Sequence, residues 1–283
     1  MSQTIAIIAP GEMGSAVGRR LAEHGARIVT VLAGRSPASI ARAERAGFAA
    51  LAGLEQLAQV ADVILSIVPP GAALGVAEQW APVLARAAKK PLYVDCNAVS
   101  PETATRIGGV LARAGAPYVD AGIIGPPPSA SARTVLYAAG EAAPRLARLN
   151  ELGLQLRVLD APIGAASALK MSYAGITKGL TGIGAAMMLG ATRSGADAAL
   201  AQELAESQPQ LLAWLARQVP SMYPKAYRWV AEMEEIAAFA AADGAAPQIY
   251  QGLARLYQRL ATAAAEGERA QLSDFCKKAA APR

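Results

Sequence analysis

Lys170 lies in the run Gly164-Ala165-Ala166-Ser167-Ala168-Leu169-Lys170-Met171-Ser172-Tyr173, and Tyr173, Thr177 and Thr181 follow it at helical spacing. On a helix these four polar side chains form one stripe of an otherwise apolar surface. A partly desolvated lysine amine can give or take a proton, and its ammonium form stabilises a developing alkoxide. Histidine is the commoner choice for such work. The one histidine here, His24, falls just before Gly25 at the end of the first expected helix, where it suits capping of free carbonyls. Lys170 is therefore the candidate proton-transfer residue. Tyr173 is either a second proton donor or a packing residue.

A second constellation sits near the N-terminus. The apolar run Ile5-Ala6-Ile7-Ile8 leads into Ala9-Pro10-Gly11-Glu12-Met13-Gly14 and then into an amphipathic segment ending at Gly25. Strand, glycine turn and helix in that order form a dinucleotide site: Gly11 admits the pyrophosphate, Gly14 lets helix and strand pack closely, and the helix N-terminus presents free N–H groups. The turn is irregular, since Ala9 stands where G-x-G-x-x-G has its first glycine. Pro10, Gly11, Glu12, Met13 and Gly14 are the expected phosphate contacts. The next strand ends in Gly34-Arg35-Ser36, with no carboxylate for the free ribose hydroxyls of NAD. A guanidinium and a hydroxyl suit a 2′-phosphate, so NADP (NADPH) is expected over NAD.

Two more strand ends face the same crevice. Val68-Pro69-Pro70-Gly71 closes an apolar strand with a rigid loop, and Asp95-Cys96-Asn97 precedes Ser100-Pro101, a helix start with an N-cap and a first-turn proline. Val68, Pro69, Pro70 and Asn97 are expected at the cofactor, with Asn97 also reaching the substrate.

The elements that must position these groups alternate up to about Asp160. Strands are expected at 4–9, 27–32, 62–68, 91–95, 117–121, 134–139 and 155–159, with helices between them at 37–46, 72–88 and 101–114. That alternation predicts an α/β fold, a Rossmann-like doubly wound and mostly parallel sheet. Beyond Pro162 the pattern is helix after helix, so an all-α C-terminal domain should follow. The expected division is 1–163 and 164–283, with 277–283 as a frayed tail. The helix opening the second domain should run beside the crevice. It contains Gly175, Gly179, Gly182 and Gly184, each costing roughly 1 kcal/mol relative to Ala, so close helix packing must compensate.

Composition narrows the classes. A formal charge of +5 without a dense basic run argues against nucleic acid, and no apolar stretch reaches the roughly 20 residues of a membrane span. Cys96 and Cys276 form neither a disulfide framework nor a metal-spaced set, which suits a cytoplasmic protein without a metal. Glu232 and Glu235 have the choice of reaching the crevice or of serving as helix surface charge, and Arg228 with Glu232 has ion-pair spacing.

The order of these segments resembles the β-hydroxyacid dehydrogenase superfamily, which includes 6-phosphogluconate and 3-hydroxyisobutyrate dehydrogenases and the imine reductases. The resemblance covers nearly the whole chain and is carried by the turn at 9–14, by Asp95 to Pro101, by Asp120-Ala121-Gly122-Ile123-Ile124-Gly125-Pro126 and by Gly164 through Ala174. The run Ile123 to Pro128, the Lys170 helix and the segment 228–237 are further similar to a 6-phosphogluconate-dehydrogenase-like branch with its own C-terminal domain. The resemblance implies that Lys170 is catalytic, that Gly122, Ile123, Ile124 and Gly125, with Lys170 and Tyr173, line the substrate site, and that helical domains interlock in a homodimer. Ile124 and Tyr173 replace a serine and an asparagine of the family pattern, and Asn97 and Ala98 another serine and a threonine. These departures loosen the carboxylate grip, so the expected substrate is a small hydroxy acid or related alcohol, or a cyclic or secondary imine. A non-catalytic dinucleotide-binding sensor is the remaining alternative, against which Lys170 argues.

Overall fold

A computed structural model describes residues 2–280. The chain divides into two compact units, residues up to Met171 and residues from Ser172. In the first, β1 (Thr4–Ile8), α1 (Glu12–Glu23), β2 (Arg27–Val31), α2 (Pro37–Arg45), β3 (Ala49–Leu51), α3 (Leu54–Val60), β4 (Val63–Ser66), α4 (Ala73–Arg86), β5 (Leu92–Asp95), α5 (Pro101–Arg113), β6 (Tyr118–Ile124), β7 (Val135–Ala139) and β8 (Gln155–Val158) follow in order. Helix α6 (Ala165–Arg193) begins in this unit. The second unit holds the rest of α6 and five more helices among the described residues: α7 (Asp197–Ser207), α8 (Pro209–Met222), α9 (Ala226–Phe239), α10 (Ala246–Leu260) and α11 (Glu266–Ala280).

The described strands form one eight-stranded sheet in the order β3-β2-β1-β4-β5-β6-β7-β8. All pairs are parallel except β6 with β7. The order reverses between β1 and β4, the switch point at which open α/β sheets leave a crevice at the carboxyl ends of their strands. Alternation along β1 shows both faces covered: Ile5 and Ile7 enter one apolar cluster, Ala6 and Ile8 the other.

Every strand and helix expected from the sequence is present, and the differences lie at β3 and α3, at the end of β6 and at the C-terminal helix. β3 and α3 went unanticipated because Ala49-Ala50-Leu51 lacks β-branched residues and the helix after it has only seven. β6 was expected to stop at Ala121, yet it continues to Ile124 because β7 supplies antiparallel partners, Gly122 to Tyr137 and Ile124 to Val135. At the other end of the chain, residues 277–280 continue helix α11, while the rest of the expected tail, 281–283, lies outside the described residues.

The glycine turn itself contains strain. Ala9 has φ +62°, in the left-handed region that costs an L-residue roughly 1–2 kcal/mol, while Gly11 N–H returns to the Ala9 carbonyl at 2.7 Å. Ala9→Gly is expected to raise unfolding free energy by roughly 0.5–1 kcal/mol, because relief of strain exceeds the entropy glycine adds to the unfolded chain. Chemical denaturation measures this; a loss of stability would contradict the strained-turn assignment.

Candidate active site

The two glycines of the turn do different work. A Cβ on Gly14 would sit 2.8 Å from the Ala9 carbonyl oxygen and 3.2 Å from Ile7 Cγ2, so this glycine is required by helix–strand packing. Gly11 has ordinary extended angles, and a Cβ there would meet nothing within 4 Å. The fold does not need glycine at position 11. Its bareness keeps open the N-terminus of α1, whose first turn has no side-chain cap, and that is where an anion is held by free N–H groups and the helix dipole. Glu12 and Met13 belong to this first turn; the Glu12 side chain is exposed, while Met13 packs against the apolar core. The donor set fits a dinucleotide pyrophosphate.

Beside the turn, a cleft of about 250 Å³ is lined by Ala9, Thr30, Ala33, Arg35, Leu54 and Trp80, among others. Arg35 is exposed at its rim, after Gly34 with φ +72°. Ser36 caps α2, its hydroxyl accepting from Ser39 N–H at 3.3 Å and lying 3.1 Å from Ser39 Oγ. Arg42, which sequence reasoning missed, reaches from α2 to the Pro10 carbonyl at 3.3 Å and to Ser39 Oγ at 3.2 Å. Its i+3 spacing from Ser39 was the available signal.

Asn97 requires correction. Its side chain was expected to reach ligand, but it is buried, with Oδ1 accepting from Val68 N–H at 2.6 Å and Nδ2 donating to Ser66 Oγ at 3.1 Å. It staples the ends of β4 and β5 and thereby sets the Val68-Pro69-Pro70 loop beside the switch point. The substrate loop also differs from expectation: Gly122, Ile123 and Ile124 are strand residues, and the loop starts at Gly125, whose φ of +129° only glycine adopts readily. Ile123 buries its side chain in the sheet core and offers only its backbone.

That backbone matters, because the Lys170 ammonium donates to the Ile123 carbonyl. Lys170 is half-buried in the second turn of α6. A Cβ on Gly122 would come within 3.1 Å of Lys170 Cβ and of the Ala166 carbonyl, so helix and strand touch closely here. Ser66, Asp95 and Asp120 are in register on adjacent parallel strands and so share one face. Asp120 accepts from the N–H groups of Gly164, Ala166 and Ser167 at 2.9, 3.0 and 3.1 Å and from Ser167 Oγ at 2.6 Å. Burial raises its pKa, against the pull of those bonds. Burial also pushes Asp95 up to about 7, with the Asp120 charge adding to it and hydrogen bonds from Asn97 opposing. Asp95 Oδ2 has no hydrogen-bond partner among the described residues.

Within the helical unit the expected polar stripe dissolves. Thr177 and Thr181 donate their hydroxyls to carbonyls four residues back, at 2.8 and 2.9 Å, so both protons are used within the helix. Tyr173 is half exposed. Glu232 pairs with Lys178, a half-buried lysine absent from the expectation, which also lies 5.0 Å over the Trp229 ring. The α6 glycines pack within the unit: Gly175 against Tyr250, Gly182 against Leu253 and Tyr257, and Gly184 against Leu215.

A doubly wound sheet with an uncapped glycine turn at its switch point, and a lysine brought to the carboxyl end of a neighbouring strand, defines a nucleotide-dependent dehydrogenase or reductase. Residues 4–152 match the family described as the NAD binding domain of 6-phosphogluconate dehydrogenase, and residues 191–260 match a domain of unknown function, DUF1932. The chain belongs to the β-hydroxyacid dehydrogenase superfamily and is an NAD(P)-dependent dehydrogenase or reductase of that type. It is 31% identical to the 3-hydroxyisobutyrate dehydrogenase of Pseudomonas aeruginosa over 147 residues, 51% of this chain and 48% of that protein. Among solved structures it is similar to a conserved protein of unknown function described as resembling 3-hydroxyacid dehydrogenases, with 28% identity, TM-score 0.72 and coverage of 95% of this chain and 99% of that one. Two others share the fold. The Mycobacterium tuberculosis 3-hydroxyisobutyrate dehydrogenase is 20% identical, with TM-score 0.73 and coverage of 99% and 100%. A Myxococcus stipitatus imine reductase variant is 20% identical, with TM-score 0.61 and coverage of 97% and 99%.

The buried Asp95 carries a pH prediction. Its folded-state pKa of about 7 lies above the ordinary 3.8, so the stability it contributes is present below about pH 4 and is lost as pH rises to about 7. Asp95→Asn removes that loss. Between pH 5 and pH 8 the variant should gain on the order of 2 kcal/mol relative to the parent in urea unfolding; a constant difference across that range would contradict a protonated Asp95.

Proposed function

We propose that this protein is an NADP-dependent oxidoreductase that exchanges a hydride with a small hydroxy acid or related alcohol, with Lys170 as the proton-transfer residue. The observation that carries this reading is the Lys170 ammonium held at the Ile123 carbonyl, at the carboxyl end of the strands. When bound, the nicotinamide would accept a hydride from the alcohol in oxidation and supply one in reduction. Gly11, Glu12, Met13 and Gly14 hold the pyrophosphate by backbone N–H groups. Arg35, with Ser36, Ser39 and Arg42 about the start of α2, reads the 2′-phosphate. As the neutral amine Lys170 would take the hydroxyl proton during oxidation; as the ammonium it would return that proton during reduction and stabilise alkoxide charge.

An imine substrate is the second reading, favoured by one feature. The segment after β6 is Gly125-Pro126-Pro127-Pro128, and three successive prolines offer no N–H to a carboxylate. Ile124 adds no donor. The likeness in fold to imine reductases supports the same reading.

A second copy of the chain is the proposed partner. Tyr173, Ile176, Leu180, Ile183 and Met187 are all exposed and recur at steps of three and four along α6, the seam spacing by which paired helices bury apolar side chains. Such a stripe is self-complementary under a two-fold axis. The buried thiols of Cys96 and Cys276 suit a reducing cytoplasm. Sedimentation equilibrium should give a dimer, and Ile183→Glu should shift it toward monomer; a monomeric parent protein would overturn the proposal.

The chemistry is tested with a panel of hydroxy acids and imines followed at the NADPH absorbance. Lys170→Met should lower turnover by about 100-fold or more while NADPH still binds, and Arg35→Asp should reduce the NADP over NAD preference by about tenfold or more. Full activity in Lys170→Met would end the assignment. Tight NADPH binding with every substrate inert would leave the sensor reading.

A further inference from the structure

We propose that Asp120 is the positioning residue for Lys170, tying the first turn of α6 to β6 so that the amine is delivered to one place at the end of the sheet. The inference rests on the role of Lys170 proposed above. Helix α6 cannot cap itself. Gly164, just before it, has φ +99°, and a Cβ there would press on Pro101 at 3.3 Å, so no side chain is available locally to cover the free N–H groups. The sheet provides the cap instead. Asp120, more than forty residues upstream, accepts on Oδ2 the Gly164 N–H just before the helix and two first-turn N–H groups, those of Ala166 and Ser167, and accepts the Ser167 hydroxyl on Oδ1.

Two further contacts turn this cap into a register device. Two residues along β6, on the same face, Gly122 has no side chain, and the helix lies close enough that any Cβ would crowd Ala166 and Lys170. One residue later the Ile123 carbonyl receives the Lys170 ammonium. Asp120, Gly122 and Ile123 therefore meet Ser167, Ala166 and Lys170 in successive steps, and a helix held at both turns cannot rotate or slide. A displacement of about 1 Å at a catalytic group can cost on the order of 100-fold in rate.

Asp120→Asn replaces one acceptor oxygen by an amide nitrogen that faces N–H groups. Competitive acylation followed by peptide mass spectrometry reads the Lys170 amine directly, without a substrate. In Asp120→Asn its labelling should rise several-fold toward that of exposed Lys277, while NADPH affinity changes by less than about threefold. With a substrate from the panel, kcat should fall by about 100-fold with KM little changed. Should Asp120→Asn fail to fold, Ser167→Ala, which removes only the Oδ1 partner, should shift labelling in the same direction by a smaller factor. Leu111→Ala, a buried change in α5, is the stability control. Unchanged Lys170 labelling in folded Asp120→Asn, or an equal change in Leu111→Ala, would overturn the proposal. Full activity in Lys170→Met would instead refute the chemistry assigned to the lysine, a separate outcome.

Discussion

The structure depends on a buried carboxylate at a helix start. Hydrogen bonds to a charged group contribute about 1.5–3 kcal/mol each, and an unpaired buried charge is prohibitive, so Asp120 is tolerable only because four donors and the α6 dipole surround it. The arrangement constrains its neighbour. Asp95, in register on the adjacent strand, lacks comparable donors and is pushed toward its neutral form. Burial raises both carboxylates; four donors oppose that rise at Asp120, while Asp95, which meets fewer, is pushed up to about 7.

At the opposite side of the switch point the design is reversed. Where α6 is capped by a side chain from the sheet, α1 is left uncapped. Gly14 is fixed by packing, whereas a side chain at Gly11 would meet nothing within 4 Å, so the two glycines separate what the fold requires from what a phosphate requires. Ala9, held at positive φ two residues before Gly11, shows that the turn geometry is kept even where the residue type resists it. Asn97 contributes from below by fixing Val68, which accounts for a buried amide at a strand end that its position in the sequence marks as ligand-facing.

Much of this was legible in the sequence. The period-two strands, the glycine turn, the Ser100 cap and the long helix that follows Gly164 all depend on local pattern, which a single chain displays. What stayed hidden depends on pairs distant in sequence. Asn97 reads as ligand-facing because nothing local reveals that Ser66 and Val68 will meet it. Ile123 looked like a loop residue because β7, which extends β6, lies across an irregular stretch. Lys178 was overlooked because its partner Glu232 is 54 positions away. The Thr177 and Thr181 hydroxyls were misjudged for a different reason: helical spacing identifies a face but not whether a hydroxyl turns back to its own backbone.

Protection of Lys170 by NADPH tests most directly whether the lysine and the dinucleotide share one site. The wild-type protein, acylated with and without saturating NADPH and analysed by peptide mass spectrometry, should show Lys170 labelling slowed several-fold, with exposed Lys277 unaffected. Equal labelling of Lys170 in the two samples, under conditions where NADPH is shown to bind, would contradict the account.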